Sequence, residues 1–231
     1  NGLTKTHGRW TNTLNYFKKM DEHLLRFDKD KTLVFIDCET LNLCLNKCHN
    51  LPWQVSMIKV QGNKTIASKD FYIKWDSHLT ISDDAARITR YSQKKMDKIG
   101  IPPEEAFPTI QDWLDNCDYI VGHNVLGFDI YLIKDLYEKF DCDWKSLVSK
   151  FIDTNCIARG IKIGPEYRQG DDFTAWQYRM YHTRKKGVRT NLTALGKEYD
   201  IDHNYDKLHD ALVDLELNIK VWNKLKWQVE F

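Results

Sequence analysis

"LVFIDCET", Leu33 to Thr40, opens as a run of apolar residues and closes in charge. A short apolar run rich in Val, Ile and Phe fits a strand buried in the middle of a sheet. Residues two apart in a strand share a face, so Asp37 and Glu39 continue the row begun by Leu33 and Phe35. Two carboxylates side by side at the end of a buried strand repel each other and lose hydration. A cation between them removes both penalties. A strand that simply runs out into solvent would carry the same residues, so this pair alone decides little.

The segments around this strand fix the fold class. "WQVSMIKV" and "KTIASKDFYIKW" flank Gly62-Asn63 and read as a hairpin. Pro102-Pro103 breaks a loop and helical region. "FPTIQDWLDN" reads as a short helix, "YIVG" as a buried strand, "GFDIYLIKDLYEKF" as a helix and "FID" as a further strand. "TNLTALGKEYD" and "HDALVDLELNIKVWNKL" are the last two helices. A hairpin meander followed by alternating strands and helices predicts an α/β fold, a mixed sheet with helices on both faces. In residues 1–30, Phe17, Met20, Leu24 and Leu25 are spaced along one helical face. They predict an N-terminal helical extension, packed on a main domain over 31–231 or serving as an adaptor for a partner.

Composition bounds the function classes. The chain has 231 residues, 42% of them apolar and 13% aromatic, enough for a sizeable core. A net charge of +1 gives no global field for nucleic acid or membrane, so such binding must come from a local patch. No apolar run reaches membrane-spanning length and no signal peptide is visible. Cys38, Cys44, Cys48, Cys117, Cys142 and Cys156 are scattered without a CxxC, as reduced intracellular thiols would be. Cys44, Cys48 and His49 could begin a zinc site, but no fourth ligand is spaced to complete it.

Two further acids face the wrong way. On a helical wheel over 128–140, Asp129 falls within the apolar face of Leu132, Ile133, Leu136 and Phe140. A first-turn capping role would also explain it. In the last helix Glu216, Lys220, Asn223 and Lys224 form the polar face, while Asp214 sits with Ala211, Leu217, Val221 and Leu225. Asp210 reads as an ordinary first-turn dipole partner. Inward-facing carboxylates from three distant elements suggest one convergent site. Hard divalent cations suit oxygen donors of this kind, and Mg²⁺ or Mn²⁺ are the natural occupants.

The order Asp37-x-Glu39, then "HNVLGFD" ending at Asp129, then His209 with Asp214 five positions on, resembles the DEDDh (DnaQ-like) 3′–5′ exonucleases. "WQVSMIKV" is similar to the family's second strand, "FIDTNCIAR" to its Asp-Thr segment and "NLTALGKEYDI" to the helix before the His-containing loop. The resemblance runs from about residue 31 to 226. It implies a ribonuclease H-like fold with a mixed five-stranded sheet. It also implies two Mg²⁺ or Mn²⁺ ions held by Asp37, Glu39, Asp129 and Asp214, with His209 as general base. Thr40 and Leu41 would meet the 3′ nucleotide, although "ETLNL" departs from the frequent Glu-Thr-Gly. His123 reads as a packed strand-end histidine, Asn124 as positioning its loop or the substrate, and Phe128 as core.

The expected substrate is nucleic acid with a free 3′ end. Single-stranded or frayed DNA is favoured, in proofreading or repair, with a DNA polymerase or replisome component as a possible partner and an intracellular setting. An exoribonuclease and a silent nucleic-acid-binding module are the alternatives. Segment 159–190 carries Arg159, Lys162, Arg168, Arg179, Arg184, Lys185, Lys186 and Arg189, interleaved with Trp176, Tyr178 and Tyr181. It reads as a substrate guide, with Arg184, Lys185 and Lys186 as contacts, or as a solvated loop with a few core aromatics.

Overall fold

The computed structural model describes residues 25, 26, 28–42, 51–76, 81–168, 170–208 and 210–230. Five strands form one sheet in the order β3-β2-β1-β4-β5: β1 (Thr32–Thr40), β2 (Pro52–Gln61), β3 (Lys64–Tyr72), β4 (Tyr119–Gly122) and β5 (Phe151–Asp153). β1 pairs antiparallel with β2 and parallel with β4. β2 and β3 are antiparallel, and β4 and β5 are parallel. The mixed five-stranded sheet expected from the sequence is present.

β1 is central because its apolar residues alternate between two cores. Leu33 and Phe35 join one cluster, and Val34, Ile36 and Cys38 join the other. Both faces therefore lose apolar surface to water, the main favourable contribution to folding. The β2–β3 hairpin turns where Gly62 adopts φ +59°, a conformation that costs Gly little and most other residues more.

Eight helices are present among the described residues: α1 (Asp83–Thr89), α2 (Gln93–Ile99), α3 (Pro103–Asn116), α4 (Asp129–Lys139), α5 (Thr154–Ile163), α6 (Phe173–His182), α7 (Leu192–Glu198) and α8 (Ala211–Leu225). α3 and α4 supply Ile110, Leu114, Leu132 and Leu136 to the second cluster. The helices after β5 supply Ile157, Trp176, Leu195 and Val221 to the first. Helices thus cover both faces. No helix among the described residues is long and apolar enough to cross a membrane.

Three departures from the sequence reading concern element boundaries. α3 begins at Pro103, with Pro102 as N-cap and Pro103 at a first-turn position, where the missing N–H costs nothing. The prolines therefore start a helix as well as ending a loop. Segment 159–190 is not a loop throughout, because α6 occupies Phe173–His182 behind an Asp172 cap that accepts from Ala175 N at 2.9 Å. α8 starts at Ala211, which puts Asp214 in its first turn, earlier than the wheel implied. Of the proposed N-terminal helical face, Phe17, Met20 and Leu24 lie outside the described residues, while Leu25 is buried in the first cluster.

Candidate active site

The site forms where β1 outruns β4. β4 pairs with β1 only from Leu33 to Phe35 and stops at Gly122, while β1 continues to Thr40. The backbone N–H of Cys38 therefore lacks a strand partner on that side. The carboxylate of Asp129, the first residue of α4, accepts it at 2.9 Å. Asp129 is only 2% exposed. This explains an acid on an apolar helical face: it completes a hydrogen-bonding ladder that the sheet leaves open.

Asp37 and Glu39 share the face of Leu33 and Phe35, as alternation requires. Their partners across the antiparallel pair are Ser56 and Gln54, which in turn oppose Asp70 and Tyr72 on β3. Directly opposed residues share a face. Polar contacts follow: Ser56 Oγ donates to Asp70 Oδ1 at 2.7 Å, and Gln54 Nε2 donates to Asp70 Oδ1 at 2.9 Å and to Tyr72 OH at 3.1 Å. A polar strip thus crosses three strands on one face, beginning at the two β1 acids.

α8 packs over β1 and β2 and brings a third element. Asp210 caps it, accepting from Leu212 N at 3.2 Å. Asn218 lies one turn beyond Asp214, on the same side. Its Oδ1 is 2.8 Å from Thr154 Oγ1 at the start of α5, which fixes how α8 sits over the sheet.

The acids act on one another. Burial pushes the Asp37 carboxyl well above the ordinary carboxylate range, and the charges of Asp129, Glu39 and Asp214 add to the shift. Burial, then Asp214, Asp129 and Asp210, push Glu39 up to about 8. Asp129 is raised to about 7 by burial, against the lowering effect of the Cys38 N–H. Mutual repulsion of this kind requires that the four acids converge. Asp210 belongs to the same field, so its role is wider than the first-turn dipole partner read from sequence.

The donor set suits a hard divalent cation. It consists of carboxylate oxygens only, and burial, with mutual charge added, raises the pKa of Asp37 and Glu39. Among the described residues no three His, Cys, Asp or Glu side chains form a ready-made metal cage.

The family model described as Exonuclease, RNase_T, matches residues 34–222, most of the chain and all four acids. The chain belongs to this exonuclease family. Solved structures agree on the fold. E. coli exonuclease I bound to a dT13 oligonucleotide is 17% identical, with a TM-score of 0.67 over 86% of this chain and 42% of that one. The same enzyme bound to a dA16 oligonucleotide is 19% identical, with a TM-score of 0.68 over 86% of this chain and 41% of that one. This chain therefore spans under half the length of these relatives. No curated protein sequence matches it significantly.

Other predicted positions of the exonuclease domain fall as follows. His209 lies outside the described residues, as do Cys44, Cys48 and His49. A bulge interrupts the β1–β2 pairing between Glu39 and Thr40. Thr40 is buried, and Leu41 packs with Trp53, Tyr72 and Met96 in a small cluster of its own. His123 is held through Nδ1, 2.9 Å from Thr154 Oγ1, and burial lowers its pKa to about 4, so it is a packed histidine as expected. Phe128 packs against the second core cluster.

Segment 159–190 divides in two. Arg159 is buried, and its guanidinium donates to the Tyr181 carbonyl at 2.7 Å. Lys162 pairs with Glu198. Trp176 is buried beside Gly160, where a Cβ would come within 2.3 Å of its ring. These three serve packing, so not every basic residue of the segment belongs to its surface. Lys185 and Lys186 are exposed, and Arg184 is exposed but anchored to the Tyr181 and Thr183 carbonyls. Tyr181 packs on Gly127, so this end of α6 abuts the loop leading to Asp129.

Asp153 has no role in the sequence reading, yet it ties that loop down. Its buried carboxylate accepts from the backbone N–H of Asn124 (2.9 Å), Leu126 (3.1 Å), Asn155 (2.9 Å) and Cys156 (3.3 Å). It both caps α5 and holds Asn124, whose φ is +66°. The readable signal was an Asp between a strand and a helix, the usual N-cap position. Asn218 was legible on the wheel that exposed Asp214.

Proposed function

We propose that this domain is a metal-dependent 3′–5′ exonuclease that releases nucleoside 5′-monophosphates from single-stranded or frayed DNA. The observation that carries this reading is the convergence of Asp37, Glu39, Asp129 and Asp214 where β1 extends past β4, each raising another's pKa or adding to the shared field. Phosphodiester hydrolysis needs an activated water and a stabilised leaving oxygen, and two divalent ions held by these four acids would supply both.

The chain's own residues do the rest. Asp37 and Glu39 stand on a strand buried on both faces, which holds them rigidly. The Cys38 N–H orients Asp129, and Asn218 sets the position of α8 and so of Asp214. His209, directly before the α8 cap, is assigned the general base, since an imidazole accepts a proton near neutral pH. Asn124, Thr40 and Leu41 are assigned to the terminal nucleotide, and Arg184, Lys185 and Lys186 to phosphates further along the strand.

DNA is favoured because the similar solved structures hold dT13 and dA16 oligonucleotides. RNA is the second reading, supported by the family's label, RNase_T. The proposal includes no polymerase partner. Digestion of matched DNA and RNA oligonucleotides, single- and double-stranded, separates the two readings. Single-stranded DNA is expected to be degraded at least about ten-fold faster than RNA of the same sequence. The reverse order would assign the domain to RNA.

A further inference from the structure

A cavity of about 160 Å³ adjoins the acid cluster, and its charge is opposite. Arg90, Lys95 and Lys207 line it from three separate elements, with Asp210 as the opposing carboxylate. Asp210 connects the two regions: its charge raises the pKa of Glu39 on one side and of Lys95 on the other. It is also committed to the backbone of α8 through Leu212 N.

The cavity is built into the sheet. The polar strip from Glu39 through Gln54 reaches Tyr72, whose hydroxyl accepts from Lys95. Lys95 also lies 4.2 Å from the centre of the Tyr72 ring, so its charge is held against the wall. Trp53 forms another part of the lining. It is 4% exposed, and its indole N–H has no hydrogen-bond partner among the described residues. Arg90 ends α1 with φ +55°, a left-handed conformation that is unfavourable for a residue with a Cβ. Its guanidinium reaches the Asp206 carbonyl at 3.3 Å, in the turn that carries Lys207.

Three cations against one committed carboxylate, in a cavity too small for a folded partner, select a compact anion. We propose that this cavity binds a backbone phosphate of the substrate strand, at a linkage other than the one being cut. The inference rests on the exonuclease reading, because it takes the ligand to be a nucleic-acid strand running past the acids. Beside four clustered carboxylates, an approaching polyanion is repelled. A phosphate held by Arg90, Lys95 and Lys207 offsets that repulsion and sets the strand's register.

The test compares the wild-type chain with the triple variant Arg90→Gln, Lys95→Gln, Lys207→Gln. Binding of a labelled eight-nucleotide oligothymidylate is read by fluorescence anisotropy, with Ca²⁺ as the divalent ion, across a salt series. The variant is expected to bind about ten-fold more weakly at low salt. Its plot of log affinity against log salt should be shallower by about 0.7, the share of one neutralised phosphate on a single strand. Methylphosphonate replacement of one internal linkage should weaken wild-type binding and leave the variant's unchanged. Thymidine 5′-monophosphate, measured in parallel, should bind both proteins alike.

Equal affinities and salt slopes for the oligonucleotide would overturn the proposal. So would an equal loss for thymidine 5′-monophosphate, which would make the cavity a site for the mononucleotide's phosphate. Because binding is read without turnover, a wild-type chain that binds as expected yet never cuts would overturn the exonuclease reading alone.

Discussion

Asp37→Asn is expected to reduce hydrolysis of a single-stranded oligonucleotide by about 10³-fold or more, as judged by initial rates with saturating Mg²⁺. The Asp37 carboxyl feels Asp129, Glu39 and Asp214 together. Removing its charge would take a donor from the proposed cation site. Loss of a group acting only on the transition state lowers kcat and kcat/KM together, and that pattern is expected here. Asp214→Ala should behave in the same way. His209→Ala should cost about 10²–10⁴-fold, the usual range for a general base. The same Asp37→Asn substitution should stabilise the metal-free protein, since it removes a buried carboxyl that must hold its proton in the fold at pH values where the unfolded chain releases it. In a chain of this size each kcal/mol gained raises Tm by about 2–4 °C. Near-wild-type turnover by Asp37→Asn would show that the acid cluster is not the reaction centre.

Metal-free stability should fall as pH rises from about 6.5 to 8.5, and Mg²⁺ should reverse the fall. The sign follows from protons bound. Glu39 is raised to about 8 and Asp129 to about 7 in the folded chain. Unfolded carboxyls titrate near 4. Between those limits the native state holds protons that the unfolded state has released, so rising pH favours unfolding. His123 acts in the opposite direction. Its folded pKa of about 4 lies below the unfolded value of about 6.5, so it destabilises the fold progressively as pH falls below 6.5. The acids' contribution is therefore best isolated above that point. A divalent cation competes with protons for the carboxylates, so its stabilising effect should be larger at pH 8 than at pH 6. Thermal melts at several pH values, with EDTA or with Mg²⁺, read this directly. A metal-free Tm that climbed from pH 6.5 to 8.5 would contradict the assigned burial and repulsion.

The parts of this site that were legible in the sequence are those governed by simple periodicity. Alternation in "LVFIDCET" put Asp37 and Glu39 on one face, and the structure keeps them there. Helical spacing placed Asp129 inward, though not its reason, which is a backbone N–H left open where β4 stops. That reason depends on two strands of unequal length, which no single segment reveals. Asp153 was missed for a related cause: its carboxylate gathers N–H groups from Asn124 and Leu126, 29 and 27 residues away. The basic segment was legible only in part, because charge counting cannot tell an inward arginine from an outward one. Arg159 satisfies carbonyls within the core, whereas Lys185 and Lys186 remain at the surface. Asp210 was read from its position alone as a first-turn dipole partner. It is instead the N-cap of α8, its charge reaches Glu39, and it lines the cavity of Arg90, Lys95 and Lys207.

The most direct test of the central claim is digestion of a 5′-labelled single-stranded DNA oligonucleotide by the wild-type chain, with Mg²⁺ or Mn²⁺ and with EDTA. With metal, the labelled strand should shorten stepwise from its 3′ end, releasing nucleoside 5′-monophosphates, and EDTA should stop it. Label released as a mononucleotide at the outset, internal cuts, or shortening that persists in EDTA would contradict the account.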